Sequence, residues 1–196
     1  MKPYSESCDQ NRDPILEVIS PLFKNKKSIL EIGSGTGQHA VYFAEKMPHL
    51  TWHTSDQIEY HKGIQEWLTE ASLSNTPPPI KLNVSEDTWP NIKVDAIFSA
   101  NAVHIMSWEN VVDFFENATN LLPSDGILVL YGPFNYNSQY TSESNERFDT
   151  WLKQRDPNSG IRDFEALDSL AQKGGMKIND DVEMPANNRV ISWKKC

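Results

Sequence analysis

The sequence predicts an α/β protein in which helices cover both faces of a mostly parallel sheet. Three observations carry this. Short aliphatic or β-branched runs alternate along the chain with amphipathic stretches of helical period, the pattern left by strands joined through crossover helices. A glycine-rich segment, Gly33 to Gly37, stands between the first such run and the helix that follows it. The 196 residues, 38% hydrophobic and 10% aromatic, suffice for one core in one domain spanning 1–196.

Taken in order, Asp13-Pro14 reads as the opening of the first helix, with Asp as N-cap and Pro at the first helical position. Residues 1–12 would then form a lid ahead of it. Ser28 to Ile32 reads as the first buried strand, Gln38 to Lys46 as a helix, Leu50 to Ser55 as the second strand and Glu59 to Ala71 as a helix. After the proline-rich break at Thr76 to Pro79 come a short strand, Ile80 to Val84, and a fourth, Val94 to Ala100. A long amphipathic helix, Trp108 to Leu122, leads through Ser124-Asp125-Gly126 into the apolar strand Ile127 to Tyr131. Helices at Ser142 to Arg155 and Phe164 to Lys173 follow, the second ended by Gly174-Gly175. Met176 to Met184 and Asn188 to Lys194 close the chain as two strands. The short Pro185-Ala186-Asn187 turn between them predicts a hairpin and an antiparallel last strand.

Composition excludes several functions. Twenty-seven acidic residues against 18 basic ones give a net charge of −9, which argues against nucleic acid and anionic membranes as partners. No apolar run approaches the roughly 18 residues of a membrane span. The first residues lack the apolar stretch of a signal peptide, so a cytoplasmic protein is expected. Cys8 and Cys196 have neither metal-ligand spacing nor a His companion, and no metal is expected.

The chemistry is concentrated in Glu31-Ile32-Gly33-Ser34-Gly35-Thr36-Gly37-Gln38. Glycines between a strand and a helix let a ligand approach the backbone, because no Cβ stands in the way. A dinucleotide fingerprint wants Gly or Ala where this chain has Gln38, and no Gly-Lys-Ser/Thr follows for a Walker loop. An acidic residue before the loop suits S-adenosylmethionine (SAM), whose sulfonium and ammonium are cationic, and Glu31 can hold that end directly or through water. Asp56 ends the second strand, 19 residues beyond Gly37, where a carboxylate can accept from both ribose hydroxyls or can cap a helix instead.

On these residues the sequence resembles the class I SAM-dependent methyltransferases: Glu31 to Gly37 matches their first motif, Asp56 their second-strand acid and Asp95 to Asn101 their fourth-strand motif. Asn11 to Leu16, Ser55-Asp56, Asp156-Pro157 with Gly160 to Asp163, and Met184 to Asn188 together resemble the small DUF938 family. The resemblance implies a Rossmann-like methyltransferase fold with strand order 3-2-1-4-5-7-6. It implies a cofactor site at Gly33, Ser34, Gly35, Gly37, Glu31 and Asp56. Asn83 and Val84 would lie at the adenine, with Asn83 departing from the usual Asp. It supplies no acceptor.

For the acceptor side, Asn101 and His104 follow the fourth strand directly. Asn101 can bond near the methyl group or the amino-acid part of SAM, and His104 can act as a base, line the pocket, or pack under the following helix. Tyr131, at the start of the polar-aromatic run to Tyr136, can line an acceptor site or belong to a packed turn. Arg12 can fork onto the SAM carboxylate or form a surface salt bridge. Tyr4 can share the lid and His39 can line the cofactor site. Arg147, Arg155 and Arg162, in the insert after the fifth strand, can meet an acidic acceptor or remain solvated. The expectation is therefore a methyltransferase with a small-molecule acceptor. A protein methyltransferase, a catalytically silent SAM-binding module and an NAD-dependent reductase remain as alternatives.

Overall fold

A computed structural model of the chain describes residues 2–196. The elements are α1 (Glu6–Phe23), β1 (Ser28–Ile32), α2 (Gln38–Lys46), β2 (Thr51–Asp56), α3 (His61–Ala71), β3 (Ile80–Lys81), β4 (Ala96–Ala100), α4 (Trp108–Leu121), β5 (Ile127–Gly132), β6 (Phe134–Asn135), α5 (Glu143–Arg155), β7 (Arg162–Asp163), α6 (Phe164–Lys173), β8 (Met176–Met184) and β9 (Asn188–Lys195). The main sheet has seven strands in the order β3-β2-β1-β4-β5-β9-β8, and β6 pairs with β7 in a separate two-stranded ribbon. β9 runs antiparallel to both β5 and β8, while the other main-sheet pairings are parallel. This is the expected strand order, with the last strand reversed as expected. Among the described residues, no helix is long and apolar enough to cross a membrane.

Side-chain alternation divides the core into two layers. Ala96 and Phe98 of β4 face a cluster that includes Ile15, Ile19 and Phe23 of α1, Phe43 of α2 and Trp52 of β2. Ile97, one residue out of phase, faces Phe114 and Phe115 of α4, Leu167 of α6 and Trp193 of β9. Trp52 and Trp193 are wholly buried in these layers, each with its indole N–H on a carboxylate, Glu31 and Asp168 respectively.

The first helix departs from expectation. It begins at Glu6 rather than after Asp13, and carries Pro14 and Pro21 inside it. Pro14 costs the helix a backbone hydrogen bond. That cost is offset by tertiary packing: Ile15, Ile19 and Phe23, four residues apart, bury one face against the sheet and α2. The start is set by Ser5, whose N–H donates to Gln38 Oε1 at 2.6 Å while Gln38 Nε2 donates to its carbonyl at 3.2 Å. The third strand is also shorter than expected. Asn83 N–H donates to Asp87 Oδ2, which turns the chain away from the sheet after Lys81. The closing hairpin turns on Ala186 and Asn187, both at φ 58°, with Asn188 N–H on the Pro185 carbonyl. Left-handed backbone at both central positions matches the right-handed strand twist.

β1 lies between β2 and β4, so the chain runs outward in opposite directions from the C-terminal edges of β1 and β4. In an open α/β sheet a cleft forms at such a switch point.

Candidate functional site

The glycine loop leaves β1 with Gly33, Gly35 and Gly37 at φ +73°, +57° and +88°, a backbone region that side chains with Cβ rarely occupy. Its N–H groups are sewn to the end of β2: Gly33 and Ser34 donate to the Ser55 carbonyl, each at 3.0 Å, and Gly35 donates to Asp56 Oδ2 at 2.7 Å. A Cβ at Gly33 would stand 3.0 Å from Ala102 Cβ, and one at Gly37 3.1 Å from Ile64 Cα, so these two glycines permit close packing. A Cβ at Gly35 would meet nothing within 4 Å, so this glycine faces open space.

That space is a cavity of about 450 Å³. Gly33, Ser34, Gly35, Asp56, Asn83, Val84 and Asn101 all line it, as does His39; Gly37 lies behind it against α3. Ser5, Ser7 and Cys8 contribute to its lining from the N-terminal segment. That segment is fastened on α3 as well as α2: Trp67 Nε1 donates to the Pro3 carbonyl at 2.7 Å, and Lys2 Nζ sits 3.5 Å from the Trp67 ring centre. Two carboxylates, Asp56 and Asp156, line the cavity, and no Lys or Arg among the described residues does. Asp56 is partly buried, and that burial raises its pKa from the ordinary value against the pull of the Gly35 and Gln57 N–H groups.

Two predicted cofactor residues, Glu31 and Arg12, stand outside the lining, and a third, Asn83, lines it with its carboxamide already bonded within the chain. Glu31 lies under the loop, 2% exposed, and its Oε2 accepts from Ser34 Oγ at 2.9 Å and Trp52 Nε1 at 3.1 Å. It braces the loop and does not line the cavity. Burial pushes its pKa to about 7, because a carboxylate deprived of water favours its neutral form. Arg12 lines neither this cavity nor its neighbour. α1 carries it to the α2 side, where Nη1 donates to Asp9 Oδ1 at 2.6 Å and the guanidinium lies 4.6 Å from the Tyr42 ring centre. Asn83 keeps its place at the wall, but Oδ1 accepts from Ser85 N–H at 3.2 Å and Nδ2 donates to Glu86. Tyr4 is 61% exposed, bonds Asp9 and lines neither cavity.

A second cavity of about 740 Å³ adjoins the first, and Ser7, Asn101 and Ile105 line both. Asn101 is held at φ +54°, with its N–H on the Tyr131 carbonyl at 2.8 Å. Asn tolerates this conformation better than most residues, and it puts the turn out of β4 at the junction. Tyr131 and His104 line the larger cavity. The Tyr131 hydroxyl accepts from Asn188 Nδ2 at 3.1 Å, and burial raises its pKa. His104 is 5% exposed, edge-on to Phe148 at 5.3 Å, with Nδ1 buried and unpartnered. Burial, reinforced by the Arg162 charge, lowers its pKa to about 4, so the ring is neutral at pH 7. His39 is neutral for the same first reason, with Nε2 2.7 Å from Asn11 Oδ1.

The loop carrying His104 is strapped from outside. The four consecutive carbonyls of Val103, His104, Ile105 and Met106 accept from Arg162 Nε (3.2 Å), Gly160 N–H (2.9 Å), Ser159 Oγ (3.1 Å) and Arg162 Nη2. Arg162 is thus a brace for the loop and not a ligand for an acceptor. Arg162→Met is expected to leave buried carbonyls unpaired and to cost about 2 kcal/mol or more in urea unfolding. Arg162→Lys, which replaces two forked donors by a point charge, should recover only part of that loss.

Several site residues carry no recognisable motif of their own. Gln38 looks in the sequence like a defect in a dinucleotide loop, yet it anchors the Ser5 backbone at the start of α1. Asn11, Asp156 and Asn188 stand in segments shared with DUF938, and the fold brings all three to one or other cavity. Their convergence from three distant segments is not expressed by any local spacing.

The strand order, the glycine loop at the C-terminal edge of β1 and the acid ending β2 define a methyltransferase-type α/β fold. The chain belongs to the DUF938 family, described as a protein family of unknown function, whose model matches residues 2–195. Among curated proteins it is similar to caffeic acid 3-O-methyltransferase 2 of Populus tremuloides, 24% identical over 177 residues, covering 88% of this chain and 46% of that protein. Among solved structures it resembles an O-methyltransferase family 2 protein of Planctomyces limnophilus in complex with apigenin, at TM-score 0.82, 16% identity, 95% of this chain and 56% of that one. It also resembles an O-methyltransferase family protein of Burkholderia thailandensis, at TM-score 0.81, 12% identity, 93% of this chain and 55% of that one. The chain spans about half the length of these proteins.

Proposed function

We propose that this chain is a SAM-dependent methyltransferase whose acceptor is a small molecule bound in the larger cavity. The observation that carries the reading is the electrostatics of the smaller one: among the described residues, two carboxylates and no Lys or Arg side chain surround an open glycine cradle. That lining favours a cationic ligand and disfavours a pyrophosphate, so it supports SAM over a nicotinamide dinucleotide. That the similar proteins are O-methyltransferases supports the same reading.

When bound, the cofactor supplies a methyl group on a sulfonium, already activated for transfer. The chain does the rest. Gly35 admits the ligand against the backbone, and Asp56 offers its carboxylate to the ribose hydroxyls while holding the loop. Val84 would give the adenine an apolar wall. Asp156, the second carboxylate of the lining, would counter the cationic portion, and Glu31, beneath the loop, keeps Ser34 in place.

Asn101 stands where the cavities meet, and with Ile105 it sets the path between donor and acceptor. Holding both reactants in line contributes much of the acceleration in such a displacement. His104 contributes differently from a strong base. With its pKa lowered to about 4, it is uncharged at working pH but only weakly basic. Since Nδ1 is shut away, Nε2 is the nitrogen left to accept a hydrogen bond from the acceptor O–H or N–H and aim its lone pair. The Tyr131 hydroxyl can hold the same group from another side.

The test uses methyl-labelled SAM with a cell extract divided into small-molecule, protein and RNA fractions. Label is expected in the small-molecule fraction. His104→Ala is expected to lower turnover at least about tenfold with cofactor affinity within twofold. Label confined to protein would replace the small-molecule acceptor. Absence of label from every fraction, despite cofactor binding, would favour the catalytically silent module.

A further inference from the structure

The larger cavity differs in charge from the rest of the chain. Against the 27 acidic residues of the protein, no Asp, Glu or Lys among the described residues lines it, and its one formal charge is Arg155. Arg155 is also singular among the five arginines. Arg12, Arg147 and Arg189 pair with carboxylates, and Arg162 is spent on backbone carbonyls. Arg155 makes no hydrogen bond or ion pair among the described residues; its guanidinium lies over the Trp151 ring at 4.7 Å. Trp151 in turn stacks on Phe148, ring centres 5.7 Å apart and planes 18° from parallel. Even with these two contacts Trp151 is 47% exposed, which leaves apolar surface of a large aromatic uncovered beside the cavity.

The geometry points to a planar organic anion as the acceptor: an aromatic or conjugated body laid against Phe148 and Trp151, with its carboxylate, or an anionic group of like charge, on Arg155. This rests on the methyltransferase reading and names the substrate class for its acceptor cavity. A planar guanidinium already stacked on an aromatic has little freedom left to lose, and it presents its N–H fork to a carboxylate. The rest of the lining is uncharged and includes Gln10, Asn11, Asn187 and Asn188; the Nδ2 groups of Asn187 and Asn188 already donate to Ser144 Oγ and the Tyr131 hydroxyl, which leaves their amide oxygens to accept from a hydroxylated ring edge. A cationic acceptor such as a lysine or arginine side chain would be desolvated there with no carboxylate to meet it.

The test is a matched set of ligands on one ring: 4-hydroxycinnamate, its methyl ester, and the cation tyramine. Each is titrated by ligand-observed NMR into protein with and without S-adenosylhomocysteine, whose own binding is measured separately by calorimetry. The anion is expected to bind tightest and the cation weakest. Arg155→Gln should weaken the anion by about tenfold or more, as for a lost charge-assisted hydrogen bond, and leave the ester within about twofold. Arg155→Glu should reverse the order of anion and cation. Because Arg155 is exposed and bonded to nothing else, both variants are expected to melt with the wild type. Tyramine binding as well as the anion, an anion indifferent to Arg155→Gln, or no binding of the anion would each overturn the proposal. Failure of S-adenosylhomocysteine to bind would instead strike the reading on which it rests.

Discussion

Replacing Asp56 by alanine is expected to weaken S-adenosylhomocysteine binding by at least about tenfold, the scale of a charge-assisted hydrogen bond lost from a partly buried site. Two effects add. In the proposed site the ribose hydroxyls would lose their acceptor, and the Gly35 N–H loses the 2.7 Å bond that fixes the loop at its open glycine. Asp56→Asn separates them. Its amide oxygen can still accept from Gly35, while charge and one acceptor are lost, so binding should fall less and loop order should survive. Calorimetry gives the affinity, and hydrogen exchange at 33–37 reads the loop. Unchanged affinity in Asp56→Ala would remove this carboxylate from the cofactor site.

Glu31→Gln is expected to change how stability depends on pH. In the folded protein burial raises the Glu31 carboxyl from about 4.5 to about 7. Between those values the native state keeps a proton that the unfolded chain has released. Stability from this group is therefore complete below pH 4.5 and is lost as pH rises toward 7, by on the order of 3 kcal/mol. Glutamine is neutral throughout, and its amide oxygen can accept from Trp52 and Ser34. The variant should be the more stable protein above pH 7 and lack the decline. His39 and His104 act with the opposite sign. Lowered to about 4, they contribute stability that is full above 6.5 and lost as pH falls toward 4. Urea unfolding across about pH 5–8.5 reads both limbs. A wild-type curve that does not fall from pH 5 to 7 relative to Glu31→Gln would contradict the buried-carboxyl account.

The parts of the fold legible in the sequence are those where local chemistry and tertiary demand agree. α2 and α6 fall on their expected residues, Gln38–Lys46 and Phe164–Lys173, because each is bounded by glycine or a polar turn and carries a clear apolar face. The hairpin at Pro185–Asn187 is legible for the same reason. α1 is not, because Asp13-Pro14 carries a strong start signal that packing of Ile15, Ile19 and Phe23 overrides. The true start at Ser5 depends on Gln38, 33 residues away. The same distinction runs through the site. Gly33, Gly35 and Asp56 declare themselves by spacing along a strand-turn-helix. The Arg162 strap and the unpaired Arg155 depend on where α5 and β7 come to rest, which no local period records. Glu31 shows the limit of reading charge from sequence: the acid identified as a contact for a cation lies beneath the loop, where its surroundings favour the protonated form.

The cavity at the glycine loop is expected to take a cationic methyl donor and its neutral-sulfur product rather than a dinucleotide. Isothermal titration of the folded protein with SAM, S-adenosylhomocysteine and NADH tests it most directly. The account predicts saturable heat at one site with the first two, abolished together by Gly35→Val, and none with NADH. Heat with NADH and silence with both sulfur compounds would contradict it.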